Sequence, residues 1–292
     1  MPKKYHDLSA HSWFRVGGKS EYYQQCDNIT ALRDYIKNIP KDLPVYGLGA
    51  GSNLLISDDI HDAAFISLTG EFKELSHDGI YITAGAGIHD GVMAKYCAQI
   101  GLSGLEFLIG IPGTIGGNIK MNAGAHQQQI SDCLIAIDAM DRQGHIHHIS
   151  ANELNFSYRH SDLPHDMICI KAHFELTPMA SDSIKKRLKT LSQLRHETQP
   201  GGRGSGGSTF KNPALSDLSA WQLIDQCGGR GYRVGGAHFS EKHCNFIIND
   251  QNASANDIFL LAETMRERVY HQTGILLEWE IELIGFKEKI YE

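Results

Sequence analysis

Two glycine-rich segments constrain the fold of this chain more than any other part of its sequence. Residues 47–53 directly follow a short apolar run, and residues 110–118 lead into a second Gly- and Asn-containing stretch at 121–125. Glycine lets the backbone approach a ligand closely and turn its N–H groups toward an anion such as a diphosphate. Each cluster alone also fits tight structural turns, but the two together favour a dinucleotide or flavin site.

Neither cluster matches the common nucleotide-binding motifs. The dinucleotide fingerprint G-x-G-x-x-G fails because position 52 is Ser and no helical pattern follows. The P-loop is excluded as well, since neither cluster contains Gly-Lys followed by Ser or Thr. The glycines therefore predict a cofactor site without assigning it to either of these folds.

The remaining pattern predicts an α+β fold. Strands are expected at 44–48, 80–84, 135–140, 146–149, 167–176, 245–249 and 276–284. Helices are expected at 89–100, 183–199, 219–227 and 257–272. Because helices and strands do not alternate in a strict βαβ rhythm, the chain is predicted to be α+β rather than a doubly wound parallel sheet.

The length of 292 residues corresponds to about two domains. A surface helix near 183–199 runs into the Gly-rich stretch 200–207, whose composition is typical of a flexible join. We therefore expect an N-terminal region of two α+β subdomains at 1–178, a linker helix and Gly-rich arm at 179–206, and a C-terminal domain at 207–292.

Composition and charge narrow the functional classes. Lys and Arg number 27 against 34 Asp and Glu, a net charge of −7 without a basic stripe, which argues against nucleic-acid binding. No apolar run approaches the ~18 residues of a membrane span, and the first residues lack a signal-peptide pattern. We expect a cytoplasmic protein with six free cysteine thiols and infer no obligatory protein partner.

Two segments carry side chains suited to ligand binding. Arg159 lies among aromatic residues in 156–161, where an arginine usually stacks on a ring at the surface. The segment 206–213 offers a hydroxyl, a cation and an amide within five residues, although it also fits a plain loop. In that segment Lys211 suits a phosphate, and Asn212 suits a polar base or sugar edge.

Two groups of titratable residues are expected to face solvent when they are considered alone. Glu278, Glu280 and Glu282 fall on one face of the predicted last strand. The second group resembles a metal cluster and comprises His145, His147 and His148. No acidic or Cys partner stands at ligand spacing to these histidines, so the pattern favours an exposed hairpin without a metal.

In order along the chain, these features resemble the UDP-N-acetylenolpyruvoylglucosamine reductase family, flavoenzymes that make UDP-N-acetylmuramate for bacterial cell walls. The resemblance covers about residues 11–286 and rests on the order and combination of its segments. These are 14–18, 47–55, 104–107, 111–117, 121–125, 158–159, 207–213 and 277–280. The chain departs from the family pattern at 11–14, Asn118 and His126. It also resembles a shorter subclass without a tyrosine-bearing segment, because residues 169–200 contain no Tyr.

The resemblance implies an FAD-binding region of the vanillyl-alcohol-oxidase (PCMH) type in 1–178 and a smaller substrate domain in 207–292, with the active site between them. FAD is the implied bound cofactor and NADPH the implied co-substrate. The implied cofactor contacts are Gly49, Ala50, Gly51, Ser52, Asn53, Leu54, Gly113, Thr114, Gly116, Gly117, Asn122 and Gly124. The implied substrate contacts are Lys211, Asn212, Lys242 and His243.

The resemblance further implies reduction of UDP-N-acetylglucosamine enolpyruvate, with Arg159, Ser208 and Glu280 at the catalytic positions. Arg159 is expected to hold the substrate carboxylate and stabilise the charge that develops there. Ser208 is expected to supply a proton to C2 of the enolpyruvyl group. Glu280 is expected to be protonated, because burial and negative neighbours raise its pKa, and to donate a hydrogen bond.

Two other functions fit the same residues. An FAD-dependent oxidase of the same fold would act on another small substrate, would not need Ser208, and would react quickly with oxygen once reduced. A non-catalytic nucleotide-sugar or flavin-binding module would bind its ligand without oxidising NADPH.

Overall fold

The described part of the chain combines six α-helices with many short strands, as the sequence predicts for the α+β class. The computed structural model describes residues 4–202 and 204–287. Within them, the helices are α1 (Ile29–Asn38), α2 (Asp90–Ile100), α3 (Ile115–Met121), α4 (Ser181–Thr198), α5 (Ala220–Gln226) and α6 (Ala255–Thr273). The strands are β1 (His6–Asp7), β2 (Lys19–Cys26), β3 (Val45–Leu48), β4 (Leu54–Ile56), β5 (Ile60–Leu68), β6 (Leu75–Asp78), β7 (Tyr81–Gly85), β8 (Leu102–Ser103), β9 (Gly124–Ala125), β10 (Gln128–Gln129), β11 (Leu134–Met140), β12 (Ile146–Ser150), β13 (Ile168–Glu175), β14 (Thr177–Pro178), β15 (Arg233–Val234), β16 (Ala237–Phe239), β17 (Ile247–Asn249) and β18 (Glu282–Ile284).

The chain divides into two compact units that do not follow the order of the sequence. Unit 1 is assembled from residues 1–21, 51–61 and 196–292, and unit 2 from residues 22–50 and 62–195. This division describes compactness, whereas the predicted boundaries at 178 and 206 concern which segments bind cofactor or substrate. Those boundaries stay a prediction.

Unit 2 is organised around an antiparallel five-stranded sheet with the order β12-β11-β13-β7-β6. Its buried face packs with α2 and α3 in an apolar core that includes Ile82, Phe107, Ile119 and Phe174, all at most 1% exposed. A second core lies under the parallel pair β3 and β5 and includes residues of α1. Burial of one sheet face leaves the other available to polar side chains.

Unit 1 joins distant parts of the chain around α6. Strand β4 pairs in parallel with β18, so that Leu54 lies opposite Glu282, and β15, β16 and β17 form a small antiparallel sheet. The core contains Phe14, Phe210 and Trp279 together with the buried face of α6. The three segments of unit 1 therefore share one apolar core.

Most elements predicted from periodicity are confirmed. The helices expected at 89–100, 183–199, 219–227 and 257–272 appear as α2, α4, α5 and α6, and the expected hairpin appears as β11 and β12. Ser254 caps α6 through the backbone N–H of Asp257, and Gly274 ends it in the left-handed conformation. Of the predicted last strand, only Glu282–Ile284 pairs as a regular strand, although burial alternates as expected from Leu277 to Ile281.

The second glycine cluster contains a helix that the sequence did not predict. Helix α3 begins after Thr114 and includes Gly116 and Gly117, and its C-cap Asn122 is left-handed with φ 46°. Two adjacent glycines lower helix propensity by about 1 kcal/mol each relative to alanine. Tertiary packing, with Ile115 and Ile119 fully buried, overrides that local preference.

Two further expectations concern the membrane and the cysteines. In the described part of the chain, no helix has both the length and the apolar character needed to cross a bilayer. All six cysteines are free thiols, as the sequence predicted.

Candidate active site

The two glycine clusters contact each other in unit 2 through Thr114. Gly49 follows β3, and Thr114 precedes α3 with only 5% of its surface exposed. A Cβ atom built on Gly49 would lie 2.4 Å from the Oγ1 of Thr114, and one on Gly117 would lie 3.6 Å from the same atom. The fold therefore brings both clusters together, and the close approach requires glycine at position 49.

Gly113 in the second cluster lies against a buried polar pair. The Nδ2 of Asn118 donates to the Oδ1 of Asp90 at 2.6 Å, and a Cβ on Gly113 would lie 2.5 Å from Asp90 Oδ2. Burial raises the pKa of Asp90 to about 8 and outweighs the hydrogen bonds from Asn118 and Gly113 and the charge of Arg195, which lower it. Sequence reasoning missed Asp90, although Asn118 stood out as a departure from the family pattern.

We expect Asp90→Asn to change how stability depends on pH. The folded-state pKa of about 8 lies above the ordinary value near 3.9, so ionisation disfavours the folded state. The wild type therefore loses stability from this group as pH rises through about 4 to 8, by at most about 1.4 kcal/mol per pH unit. Urea unfolding of the variant should show an advantage over the wild type that grows across this window and then levels off.

The control for this prediction is Asp34→Asn on the exposed side of α1, which should change stability by less than about 0.5 kcal/mol at every pH. A difference between Asp90→Asn and the wild type that stays constant from pH 5 to 9 would contradict the raised pKa.

Arg159 lies in unit 2 beside the second glycine cluster. It occupies a tight turn closed by hydrogen bonds between Ser157 and His160, and its φ of +55° is one that favours glycine. Its Nη2 donates to the carbonyl oxygen of Gly124 at 2.7 Å, and its guanidinium lies 5.0 Å from the centroid of the Tyr158 ring. A strained backbone of this kind persists where surrounding contacts hold it, which is common at functional sites.

The side chain of Asn122, a predicted cofactor residue, forms hydrogen bonds within the protein. Its Nδ2 donates to Gln129 Oε1 at 3.1 Å and to the carbonyl of Ser157 at 2.8 Å, while its Oδ1 accepts from the N–H of Ser131. The bond to Ser157 connects the end of α3 to the turn that carries Arg159. Its predicted cofactor contact stays a prediction.

In unit 1, Ser208 and Glu280 lie on adjacent extended segments. Ser208 forms a β-bridge with Phe246, and the N–H of Glu280 donates to the carbonyl of Thr209 at 2.9 Å. The neighbouring pair Phe210 and Trp279 forms a second bridge, with ring centroids 5.3 Å apart. Two catalytic candidates 72 positions apart in the sequence (280 − 208) are thus brought onto neighbouring extended segments.

Asn245 holds the segment that carries Ser208. Its backbone carbonyl accepts from the N–H of Thr209 at 2.7 Å, and its side-chain amide exchanges two hydrogen bonds with the backbone of Phe210, at 3.0 and 2.8 Å. The residue is 3% exposed. Sequence reasoning missed it, although a single amide inside the apolar run 244–248 is a signal of such a buried role.

The backbone around Glu280 is fixed from two sides. Asn53 of the first glycine cluster donates from Nδ2 to the carbonyl of Glu280 at 2.9 Å. From α6, Glu263 Oε1 accepts from Trp279 Nε1 at 2.8 Å, and Arg266 Nε donates to the carbonyl of Leu277 at 2.7 Å. Glu263 and Arg266 were also missed, although both fall on the buried face of α6, where polar residues are rare.

The first glycine cluster is divided between the two units. Gly49 and Ala50 belong to unit 2, and residues 51–54 belong to unit 1. At Gly51, φ is +68° and a Cβ would meet the carbonyl oxygen of His11 at 1.7 Å, so only glycine fits there. Ser52 is partly exposed, and Leu54 begins β4.

The predicted substrate residues lie in unit 1 with Ser208. Lys211 Nζ is 3.7 Å from Glu278, an ion pair whose carboxylate is 77% exposed, and the Oδ1 of Asn212 accepts from the N–H of Ala220 at the start of α5. Lys242 Nζ donates to the carbonyl of His196, and the His243 ring packs edge-on against Phe246, 4.8 Å between centroids. Their contacts with substrate stay predictions.

Family models and known proteins show what this chain is similar to. The family model for the C-terminal domain of UDP-N-acetylenolpyruvoylglucosamine reductase matches residues 199–284, and the FAD binding domain model matches residues 20–150. A UDP-N-acetylenolpyruvoylglucosamine reductase from Maricaulis maris is 43% identical over 95% of this chain and 90% of its own length. The one from Bradyrhizobium sp. is 43% identical over 96% and 91%, respectively.

The fold also matches a solved structure over nearly its whole length. The crystal structure of UDP-N-acetylenolpyruvylglucosamine reductase (MurB) from Thermus caldophilus superposes with a TM-score of 0.84 at 34% identity, covering 98% of this chain and all of that one. An FAD-binding domain joined to a reductase C-terminal domain defines a flavoprotein oxidoreductase. The chain belongs to the UDP-N-acetylenolpyruvoylglucosamine reductase family. The predicted family, fold class and FAD cofactor are confirmed.

The residues present fit FAD. The backbone of Gly49 lies so close to the Thr114 side chain that any Cβ there would meet Oγ1, and the glycines around this contact can present backbone N–H groups to a diphosphate. The residues of unit 2 that would hold FAD are Gly49, Ala50 and the second glycine cluster, with Arg159 anchored beside them on Gly124.

We expect Gly49→Ala to lower FAD affinity at least about tenfold, which corresponds to about 1.4 kcal/mol. The new Cβ would force Thr114 Oγ1 away from 2.4 Å and separate the two clusters. The ratio of flavin to protein absorbance and a flavin-fluorescence titration measure the effect. Gly91→Ala is the control, because a Cβ there meets no atom within 4 Å.

A double variant tests the steric reason. Removing the hydroxyl in Thr114→Ala makes room for alanine at position 49, so Gly49→Ala combined with Thr114→Ala should bind FAD as well as Thr114→Ala alone. A further loss in the double variant would show that the contact with Thr114 Oγ1 is not the cause.

Proposed function

We propose that this protein reduces UDP-N-acetylglucosamine enolpyruvate to UDP-N-acetylmuramate, with NADPH as electron donor, in the cytoplasmic synthesis of peptidoglycan precursors for the cell wall. The observation that carries the proposal is that Ser208 and Glu280 lie on adjacent extended segments, joined by the hydrogen bond from the Glu280 N–H to the Thr209 carbonyl, inside the part of the chain that matches the reductase C-terminal domain. In this proposal the enzyme supports cell-wall biogenesis, and with it cell shape and division. It acts without nucleic acid, a membrane or an obligatory protein partner.

Bound FAD would supply the redox chemistry by accepting hydride from NADPH and delivering hydride to C3 of the enolpyruvyl group. The role of the protein residues then follows from the charge that appears on the substrate. Hydride addition at C3 moves electrons toward C2 and the carboxylate, and the product forms when C2 takes up a proton. The chain must therefore stabilise an anion and supply one proton.

Arg159 suits the first task. A guanidinium has five N–H donors in a planar fork, so the bond to the Gly124 carbonyl is compatible with a charge-assisted contact to a carboxylate. Its turn, held by Asn122 on the Ser157 carbonyl, fixes the guanidinium before substrate binds. Such preorganised charge is a large source of transition-state stabilisation.

Ser208 suits the second task. Its backbone is fixed by the bridge to Phe246. Asn245 also forms hydrogen bonds with the backbone of the next two residues, Thr209 and Phe210, and these bonds are called the Asn245 clamp. A hydroxyl held in this way can deliver its proton to C2, and general acid catalysis of this kind contributes about 10²–10⁴ in rate.

Glu280 is proposed to assist in its protonated form. It is partly buried between Trp279 and Ile281, which are 7% and 2% exposed, while the neighbouring Glu278 points toward Lys211. A neutral carboxyl can donate a hydrogen bond to the developing anion, whereas an ionised one would repel it. Lys211, Asn212, Lys242 and His243 are proposed to bind the nucleotide-sugar part of the substrate.

The two half-reactions, followed separately without oxygen, test this function. NADPH should bleach the flavin absorbance of the FAD-loaded protein, and UDP-N-acetylglucosamine enolpyruvate should restore it. Absence of bleaching would support a non-catalytic binding module. Rapid return of colour with oxygen, and none with the enolpyruvyl substrate, would support an oxidase. Either result would overturn the proposal.

A further inference from the structure

One polar face of the five-stranded sheet in unit 2 collects an aspartate and two histidines from three neighbouring strands. Asp138 on β11 lies directly opposite His148 on β12, and His173 on β13 lies diagonally across from it. Asp138 Oδ1 is 2.7 Å from His148 Nδ1, and Oδ2 is 3.2 Å from His173 Nε2. One ligand atom from each of the three residues lies within 4.8 Å of the others.

This cluster corrects one premise of the sequence analysis. Along the sequence, His145, His147 and His148 have no acidic partner at ligand spacing, but in the fold Asp138 contacts His148 and Asp141 contacts His147 at 2.7 Å. The hairpin is exposed, as predicted. Asp138 stands 10 residues before His148 in the sequence, and only the cross-strand pairing of β11 with β12 places the two side by side. Pairing of β11 with β13 then adds His173, 35 residues from Asp138.

We propose that Asp138, His148 and His173 form a binding site for a divalent first-row transition-metal ion, with Zn²⁺ as the expected occupant. Two imidazoles and one carboxylate are a donor set that such ions favour, and three protein ligands leave further coordination positions for water. In the site, the ion would take the place of the protons shared between the carboxylate and the two rings. No part of the flavin or substrate machinery is involved.

A supporting contact orients one of the ligands. His173 Nδ1 lies 3.2 Å from the Oγ1 of Thr83 on β7, so a proton on Nδ1 can be donated to that hydroxyl. This tautomer leaves the lone pair of Nε2 directed at the cluster, which is how metal-ligating histidines are usually oriented. Asp138 and His173 side chains are only 22% and 23% exposed, so the sheet holds both in place.

The alternative is a hydrogen-bonded network of one carboxylate and two imidazoles that binds no ion. The two possibilities share the same geometry and differ in metal affinity, so metal binding is the decisive measurement. The nearby pair of His145 and His147 on Asp141 provides a matched control. Among the residues that the structure describes, only the Asp138 cluster brings three possible ligand atoms together.

The experiment uses the full, untagged, FAD-loaded protein after treatment with a chelator. Calorimetric titration with Zn²⁺ should give one bound ion per chain, and Co²⁺ should produce the visible absorption of a protein-bound ion. His173→Ala and Asp138→Asn should each lower the Zn²⁺ affinity at least about tenfold, because each removes a ligand or its charge. The double variant His145→Ala/His147→Ala should bind Zn²⁺ as tightly as the wild type.

His148→Ala guards against a folding artefact, since the His148 side chain is 65% exposed and its loss should leave flavin content and thermal unfolding unchanged. This variant should also lose Zn²⁺ affinity. The proposal is overturned if the wild type binds no Zn²⁺ at 100 µM (about −5.5 kcal/mol on the affinity scale). It is equally overturned if the His145/His147 variant loses as much affinity as His173→Ala. Flavin reduction by NADPH is a separate readout, so failure here leaves the proposed function untouched.

Discussion

Replacing Ser208 by alanine is expected to leave reduction of the flavin by NADPH intact and to slow its reoxidation by the enolpyruvyl substrate about 10²–10⁴-fold. The reason is that only the second half-reaction requires a proton at C2. The bridge to Phe246 and the Asn245 clamp act through the backbone, so they should hold the segment equally well with alanine at 208. Anaerobic stopped-flow absorbance at the flavin band measures both rates.

Ser216→Ala serves as the matched control. The Ser216 hydroxyl accepts from the backbone N–H of Leu218 in a loop of the same unit, and its removal should leave both half-reactions unchanged. If Ser208→Ala slowed both half-reactions equally, the hydroxyl would have a role in flavin geometry rather than in proton transfer.

The second large effect is expected from Glu263→Ala, which should lower the free energy of unfolding by about 3–5 kcal/mol. Glu263 is fully buried in α6, where its carboxylate faces the Arg266 guanidinium at 3.4 Å and accepts from the Trp279 indole at 2.8 Å. Its removal takes away the carboxylate that compensates the buried charge of Arg266. Urea unfolding followed by tryptophan fluorescence measures the loss.

Glu267→Ala, four residues further along α6 than Glu263, is the control. Its carboxylate is 46% exposed and lies 3.8 Å from His271, so the change should cost less than about 0.5 kcal/mol. Replacing Glu263 and Arg266 together by apolar residues should recover much of the loss, since no buried charge then remains. A cost of Glu263→Ala below 1 kcal/mol would mean that the ion pair does not fix the segment before Glu280.

Features encoded locally could be predicted from the sequence. The helices α2, α4, α5 and α6 follow from apolar spacing and caps, because those signals depend on residues only a few positions apart. The glycine clusters could be recognised as cofactor-binding candidates for the same reason, since close backbone approach requires glycine at particular positions such as Gly49. The reaction itself was predicted only from the family resemblance, which rests on several such segments in order along the chain.

Features that depend on distant pairing could not be predicted. Asn245 acts on Phe210, and Glu263 acts on Trp279, through contacts that only the folded chain creates. Asp90 is a buried acid because the fold packs Asn118 and Gly113 against it, and these residues are distant from it in the sequence. The metal-site candidate is the clearest example, because its three residues come from three strands and share no spacing along the chain.

Unit 1 is assembled from three distant segments of the chain, which has a consequence for how the protein folds during its synthesis in the cell. Residues of unit 2 have all been synthesised by Arg195, but β4 acquires its partner β18 only when Ile284 appears, 89 residues later (284 − 195). At about 5–20 residues per second, the ribosome needs about 4–18 s for that stretch. During this interval Phe14 and Leu55, which are fully buried in the finished protein, must wait for the residues that cover them. We expect chaperones to bind nascent chains at this stage, because transiently exposed apolar surface is prone to aggregation.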